Sequence, residues 1–176
     1  MISVKADFDR LKRELDLSPQ RIETTAARSL NKTATTLRTA ARREIQEEIK
    51  PRKGGVSSLN KRITVRKASK GNLSAHIDLS EMGLGVENTR KATIRKVRNG
   101  GGAVRVSFRG KTLVKAFRFG SDAKVFMRKP GKPERVFSFT MVQEAEKLKV
   151  PETTERKAGP MFVAEFLRLV KVFRGL

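Results

Sequence analysis

The chain contains no cysteine, tryptophan or tyrosine, and its 176 residues include a single histidine. Without cysteine it forms no disulfide, no thiolate metal site and no thiolate nucleophile. A single histidine excludes a His-rich metal cluster and leaves little capacity for acid–base catalysis near pH 7. No catalytic triad or pair of catalytic carboxylates is recognisable in the remaining sequence. These absences argue against an enzyme, and we expect neither a metal nor another cofactor.

Negative charge is also scarce, because 18 Asp and Glu stand against 40 Lys and Arg, a formal net charge of +22 at pH 7. The surplus is concentrated in two stretches. Residues 51–72 hold seven bases and residues 90–120 hold ten, neither with an acid, so together they contribute 17 of the 22 charges. Repulsion of this density destabilises a compact domain unless an acidic surface neutralises it. The composition therefore predicts a polyanionic partner, either nucleic acid or an acidic protein.

Long apolar runs are absent as well. No run of 18 apolar residues occurs, and the N-terminal segment MISVKADFDR lacks the basic and apolar stretches of a signal peptide. We therefore expect a soluble protein made in the cytosol, with no membrane partner. Binding at a membrane surface would require a basic amphipathic helix, and the C-terminal segment offers only Arg168, Lys171 and Arg174.

A long helix is the strongest local signal. Ser18 and Pro19 are typical of an N-cap and a first helical position, and neither Gly nor Pro follows before Pro51. Apolar residues recur in between at three- and four-residue steps, on a helix about 45 Å long. These residues are Ile22, Ala26, Leu30, Ala34, Leu37, Ala41, Ile45 and Ile49. The narrow, alanine-rich stripe predicts that the helix lies flat across a sheet or against a second copy.

The last turn of this helix carries three acids, Glu44, Glu47 and Glu48. Negative charge is unfavourable at a helix C-terminus. The three side chains are therefore candidates for a contact with a basic surface of a neighbouring subunit. A solvated helix face, on which Arg43 pairs with Glu47, is the alternative and the simpler explanation.

The composition changes abruptly after the helix. The segment PRKGGVSSL at 51–59 contains Pro, two Gly and two Ser, so we expect residues 51–72 to form a basic loop or arm. Alternating apolar and polar residues then predict an antiparallel β-sheet over 73–142, with a glycine-rich turn at 99–102.

Helical spacing returns in a C-terminal helical region, residues 143–176. After Pro160 an apolar face includes Phe162, Phe166 and Phe173, and this face is stronger than a lone surface helix needs. We therefore expect these three residues to contribute to a subunit interface. The predicted fold is a single α+β domain over residues 1–176, in which a long N-terminal helix packs on an antiparallel sheet that the C-terminal helix closes.

Basic residues of the two charged stretches are the candidates for contacts with phosphate. Along residues 103–109, arginines alternate with valines and so lie on the outer face of a strand. The candidates are Lys61, Arg62, Arg66, Lys67, Arg95, Lys96, Arg98, Arg105, Arg109 and Lys111. Tyr and Trp are absent and most of the ten Phe occupy core-like positions, so the composition favours a duplex or an acidic protein lumen over a base-stacking site.

Several segments carry a family resemblance. They are AARSLNK at 26–32 in the long helix, the basic stretch 50–67, GLGV at 83–86, KAFRF at 115–119 and VFMR at 125–128. In this order they resemble the prophage minor tail protein Z family, the tail completion proteins of lambda-like phages.

The resemblance implies a non-enzymatic virion protein at the head-proximal end of the tail, made in the cytoplasm of the bacterial host. It implies a homo-oligomeric ring, sixfold to match the tail tube, between the tail terminator or tail tube protein and the head–tail connector proteins. A basic surface in such a ring would meet the end of the double-stranded DNA genome. The alternative that the residues leave open is a cytosolic RNA-binding or ribosome-associated basic protein.

Overall fold

The computed structural model describes residues 2–4, 18–97, 103–108, 110–119 and 124–174. Its helices are α1 (Pro19–Ile49), α2 (Lys53–Arg62), α3 (Met141–Lys147) and α4 (Val150–Arg174). Its strands are β1 (Ile2–Val4), β2 (Ile63–Arg66), β3 (Ala75–Leu79), β4 (Leu84–Gly85), β5 (Thr93–Lys96), β6 (Ala103–Phe108), β7 (Lys111–Phe119), β8 (Lys124–Met127), β9 (Glu134–Arg135) and β10 (Phe137–Phe139). All strand pairs are antiparallel, so the predicted α+β class is confirmed.

The chain divides into two compact units, where the sequence predicts one domain. The first unit contains Met1–Arg43, Ile63–Leu79 and Ala145–Leu176, and the second contains Glu44–Arg62 and Ser80–Glu144. Each unit is assembled from stretches that are far apart in the chain. For that reason the sequence has no linker-like segment at the boundary between the units, and only the fold reveals them.

Helix α1 begins and packs as its sequence predicts. The carbonyl oxygen of Ser18 accepts the first helical hydrogen bonds, and all eight residues of the predicted apolar stripe are buried. In the first unit, the Asn31 amide donates to the Ala68 carbonyl over 3.0 Å and accepts from the Ala68 N–H over 2.7 Å. Arg38 Nε donates to the Ile63 carbonyl over 2.6 Å. These bonds hold α1 beside the three-stranded sheet β1–β3–β2.

Helix α4 also belongs to the first unit and lies within the predicted C-terminal helical region, residues 143–176. It begins at Val150 and continues through Pro160, although a proline inside a helix removes one backbone hydrogen bond. Val150, Thr154 and Ala158 are buried at four-residue steps and lead into Phe162. Thr154 and Ala158 give this part of the stripe a weak hydrophobic signal, so the sequence indicates the apolar face only after Pro160.

The stretch 51–72 is not the loop or arm that its composition predicts, because it contains α2 and β2. Gly55, Leu59 and Ile63 are buried at four-residue steps, so burial stabilises the helix despite its glycines and serines. The role of Gly55 is to let α2 pack closely against neighbouring backbone atoms, and not to make the segment flexible. A Cβ at this position would overlap the Asn88 carbonyl oxygen and lie 3.0 Å from the Pro51 Cβ.

The second unit is built around a five-stranded meander, in the order β5–β6–β7–β8–β9. A separate two-stranded sheet pairs β10 with β4. The predicted turn at 99–102 lies outside the described residues. The core against the meander consists of Val86, Ala92, Val104, Val106, Ala116, Val125 and Val136. In the described part of the chain, no helix combines the length and apolarity that crossing a membrane requires.

Candidate nucleic-acid interface

The five-stranded sheet has one face on the core and one face away from it. Val104 and Val106 of β6 point into the core, so Ala103, Arg105 and Ser107 lie on the opposite face. Directly opposed residues of antiparallel strands share a face, so the strand register identifies the other residues on the face opposite the core. We call this surface the outer face; its described residues are Thr93, Arg95, Ala103, Arg105, Ser107, Thr112, Phe117, Lys124, Phe126 and Arg135. The charge of Arg135 is already paired, because its Nη2 lies 2.7 Å from Glu87 Oε1.

Two arginines lie side by side on the outer face. Arg95 of β5 is directly opposite Arg105 of β6, and both side chains are exposed. Like charges in directly opposed positions destabilise a strand pair. Within the described residues neither arginine has a carboxylate partner, so no described acidic side chain compensates their repulsion.

Two aromatic rings also lie on the outer face, which the sequence did not predict. Phe117 of β7 and Phe126 of β8 are opposed and half-buried, with ring centroids 6.1 Å apart and planes inclined by 28°. The guanidinium carbon of the exposed Arg128 lies 5.7 Å from the Phe117 centroid. Aromatic surface and positive charge are therefore adjacent.

An irregularity in β7 explains why Phe117 leaves the core. Val104 pairs with Ala116 but Val106 pairs with Leu113, so β7 has one extra residue between those positions. A one-residue shift exchanges the two faces of a strand. Leu113 consequently packs against the core cluster while Phe117, four residues later, faces outwards. Alternation in the sequence carries no sign of this bulge.

The other candidates in the second unit lie elsewhere. Lys96 and Lys111 are opposite Val104 and Phe108, so they belong to the core-facing side of their strands, where both are exposed. Lys61 is exposed on α2. Its neighbour Arg62 donates a hydrogen bond to the Met82 carbonyl. Burial, reinforced by the nearby positive charge of Arg135, lowers the pKa of the Arg62 guanidinium below its ordinary value.

Two candidates belong to the first unit. Arg66 Nε lies 2.6 Å from Asp78 Oδ2, so its charge is already paired within the chain, whereas Lys67 is exposed. Arg98 and Arg109 lie outside the described residues. Of the eight predicted phosphate contacts that the structure describes, the outer face brings together Arg95 and Arg105.

The predicted subunit interface is corrected in part. Phe162 and Phe166 are fully buried inside the chain, with ring centroids 5.7 Å apart, so they are not available to a neighbouring subunit. Helical spacing identified an apolar face correctly but did not show that the protein's own core covers it. Phe173 remains 46% exposed, with the Arg28 guanidinium 6.0 Å from its ring centroid. The exposed apolar surface of α4 consists of Val163, Leu167, Val172 and Phe173.

The acidic residues of α1 differ in their surroundings. Glu48 Oε1 lies 2.6 Å from Lys91 Nζ, which neutralises it within the second unit. Glu44 and Glu47 are exposed. Among the described residues, no group of three histidine, aspartate or glutamate side chains is arranged to hold a metal ion.

Comparisons with known proteins add no constraint. No protein-family model matches the chain. Searches of curated proteins and of solved structures likewise find no significant match.

Proposed function

We propose that this protein is a structural, non-enzymatic component of a phage virion that completes the head-proximal end of the tail and supports head–tail joining. Two observations support this proposal. The order of the sequence segments resembles the minor tail protein Z family, and the second unit carries a basic surface suited to the end of a packaged genome. The observation that carries the contact with DNA is the uncompensated pair Arg95 and Arg105 on the outer face.

The proposed contact depends on the charge of the DNA backbone and not on the base sequence. Arginine side chains on a sheet bind phosphate oxygens, and such contacts position a protein on DNA without discriminating between bases. The phosphate charge neutralises Arg95 and Arg105 and so relieves their repulsion in the free protein. Binding also releases counterions from the DNA, which makes the affinity depend on salt. In a homo-oligomeric ring the same face would be repeated around the DNA, next to the tail tube or terminator on one side and the connector on the other.

The location is tested by quantitative mass spectrometry of gradient-purified phage particles from the source culture. We expect a few copies of this protein per particle relative to the major tail tube protein. Its absence from particles, together with recovery in the ribosome fraction, would contradict the tail assignment and favour the RNA-binding alternative.

The contact with DNA is tested by replacing Arg95 and Arg105 together with glutamine. Each phosphate contact adds about −0.9 to the slope of log K against log salt, so the double variant should lower the magnitude of that slope by about 1.8 on a DNA duplex. The slope is measured by fluorescence anisotropy between about 50 and 200 mM salt.

A charge-matched control is the double variant Arg156→Gln and Lys157→Gln, which removes two exposed charges from α4 in the first unit. This control should change the slope less than the outer-face variant. Equal slopes for the two variants would contradict a DNA contact at the outer face and would leave an acidic protein surface as its partner.

A further inference from the structure

The outer face has a feature that contact with a duplex does not require, because Phe117 and Phe126 lie among its cations. We propose that the outer face binds single-stranded nucleic acid, with bases stacked on these rings and phosphates held by Arg95, Arg105 and Arg128. This inference rests on the proposed function only in placing nucleic acid on the outer face.

The rings supply a platform for stacking. Proteins that bind single strands without sequence preference combine a positively charged surface with aromatic side chains on which successive bases stack. Phe117 and Phe126 lie on neighbouring strands and on the side of the sheet opposite the valine core. The bases of a duplex are already stacked on one another, so only an unpaired strand gains from these rings.

The neighbours of the rings leave room for a base. Ala103 is the residue directly opposite Phe117 on β6, and its side chain is a single methyl group. Arg105 follows two positions along the same strand and on the same face. When a base of the nucleic acid lies on Phe117, the Arg105 guanidinium is close enough to bind the adjacent phosphate, because neighbouring β-strands are only about 4.8 Å apart.

Arg128 reinforces this arrangement. Its exposed guanidinium already lies over the Phe117 ring, and planar arginine side chains stack on bases as they do on aromatic rings. A base on the platform therefore contacts an aromatic ring and a cation at the same site.

Charge and hydrogen-bonding groups favour a polyanion over other occupants. None of the described outer-face residues is acidic, and Thr93, Ser107 and Thr112 add hydroxyl groups. The Ser107 and Thr112 hydroxyls are hydrogen-bonded to each other over 3.1 Å, which leaves one of the two O–H groups to donate to a phosphate oxygen. A second copy of the chain in a face-to-face contact would set arginine against arginine, which opposes self-association through this surface.

The first test compares labelled oligothymidylate, a DNA duplex and inorganic polyphosphate, each with the same number of phosphates, by fluorescence anisotropy at a fixed salt concentration. We expect the oligothymidylate to bind most tightly. In the variant Phe117→Leu its affinity should fall roughly fivefold to 150-fold, the loss typical of removing one base-stacking aromatic, while affinity for the duplex stays within about twofold.

The matched control is Phe173→Leu, which removes an exposed phenylalanine with an arginine beside its ring from α4, in the first unit and outside the five-stranded sheet. This variant should bind all three probes as the parent protein does. An equal loss of single-strand affinity in both variants would contradict a specific role for Phe117.

A second variant, Phe117→Trp, keeps an aromatic ring at the site and covers the case in which Phe117→Leu fails to fold. The chain has no other Trp and no Tyr, so the indole is its only strong fluorophore. Oligothymidylate should quench this fluorescence in a saturable titration, and polyphosphate should not.

Two results would overturn the inference, and they differ in what they mean for the proposed function. Equal affinities for the three probes, with no quenching in F117W, would show a purely electrostatic surface and leave the DNA contact of the proposed function intact. Absence of salt-dependent binding to every probe would contradict both and point to an acidic protein as the partner.

Discussion

Replacing Phe166 with alanine should lower the free energy of unfolding by about 3–5 kcal/mol, the cost typical of truncating a fully buried phenylalanine. The side chain is 0% exposed and packs against the equally buried Phe162. Truncation removes apolar contacts and leaves a cavity that the surrounding side chains fill only in part. In a chain of this size the midpoint of thermal unfolding should fall by about 6–20 °C, as measured by circular dichroism.

The control for this prediction is the adjacent residue on the same helix. Leu167 is 44% exposed, so Leu167→Ala should change the free energy of unfolding by less than about 1 kcal/mol. Comparing Phe166→Ala with Leu167→Ala distinguishes a core contact from a subunit contact as the role of the apolar face of α4. If Phe166→Ala left stability unchanged and altered only the oligomeric state, Phe166 would be a subunit contact, as its sequence pattern suggested.

Replacing Gly55 with alanine should lower the free energy of unfolding by about 1–3 kcal/mol, the cost typical of overpacking. This sign is the reverse of what helix propensity predicts, since alanine is favoured over glycine inside a helix by about 0.5–1 kcal/mol. The new Cβ would overlap the Asn88 carbonyl oxygen and lie 3.3 Å from the Asn88 Cβ. Backbone atoms are involved, so a side-chain rotation does not relieve the overlap. Urea-induced unfolding measures the change.

Gly71→Ala is the matched control. Nothing lies within 4 Å of a Cβ at Gly71, and its backbone is not in the left-handed region. This substitution should leave stability unchanged or raise it by up to about 1 kcal/mol, because alanine restricts the unfolded chain more than glycine does. Destabilisation of the same size in both variants would contradict the close packing of Gly55.

The candidate site shows what strand patterns reveal and what they omit. Alternation along β6 correctly places Arg105 on an exposed face, and the acid-free stretch 90–120 contains Arg95, which lies directly opposite it. Strict alternation along β7 would place Phe117 on the same face as Leu113, because both occupy odd-numbered positions. A one-residue bulge between them reverses the face. The aromatic part of the site therefore depended on pairing with β6, which no local pattern contains.

The sequence by itself determined the α+β class, the span and buried stripe of α1, and the concentration of positive charge in two acid-free stretches. These features depend on local periodicity and composition, which a chain carries before it folds. The tertiary structure decided that 51–72 contains α2 and β2, that Phe162 and Phe166 are buried, and that two rings join two arginines on the outer face. Each of those outcomes depends on contacts between residues distant in the chain, whose register and burial are set by packing rather than by spacing.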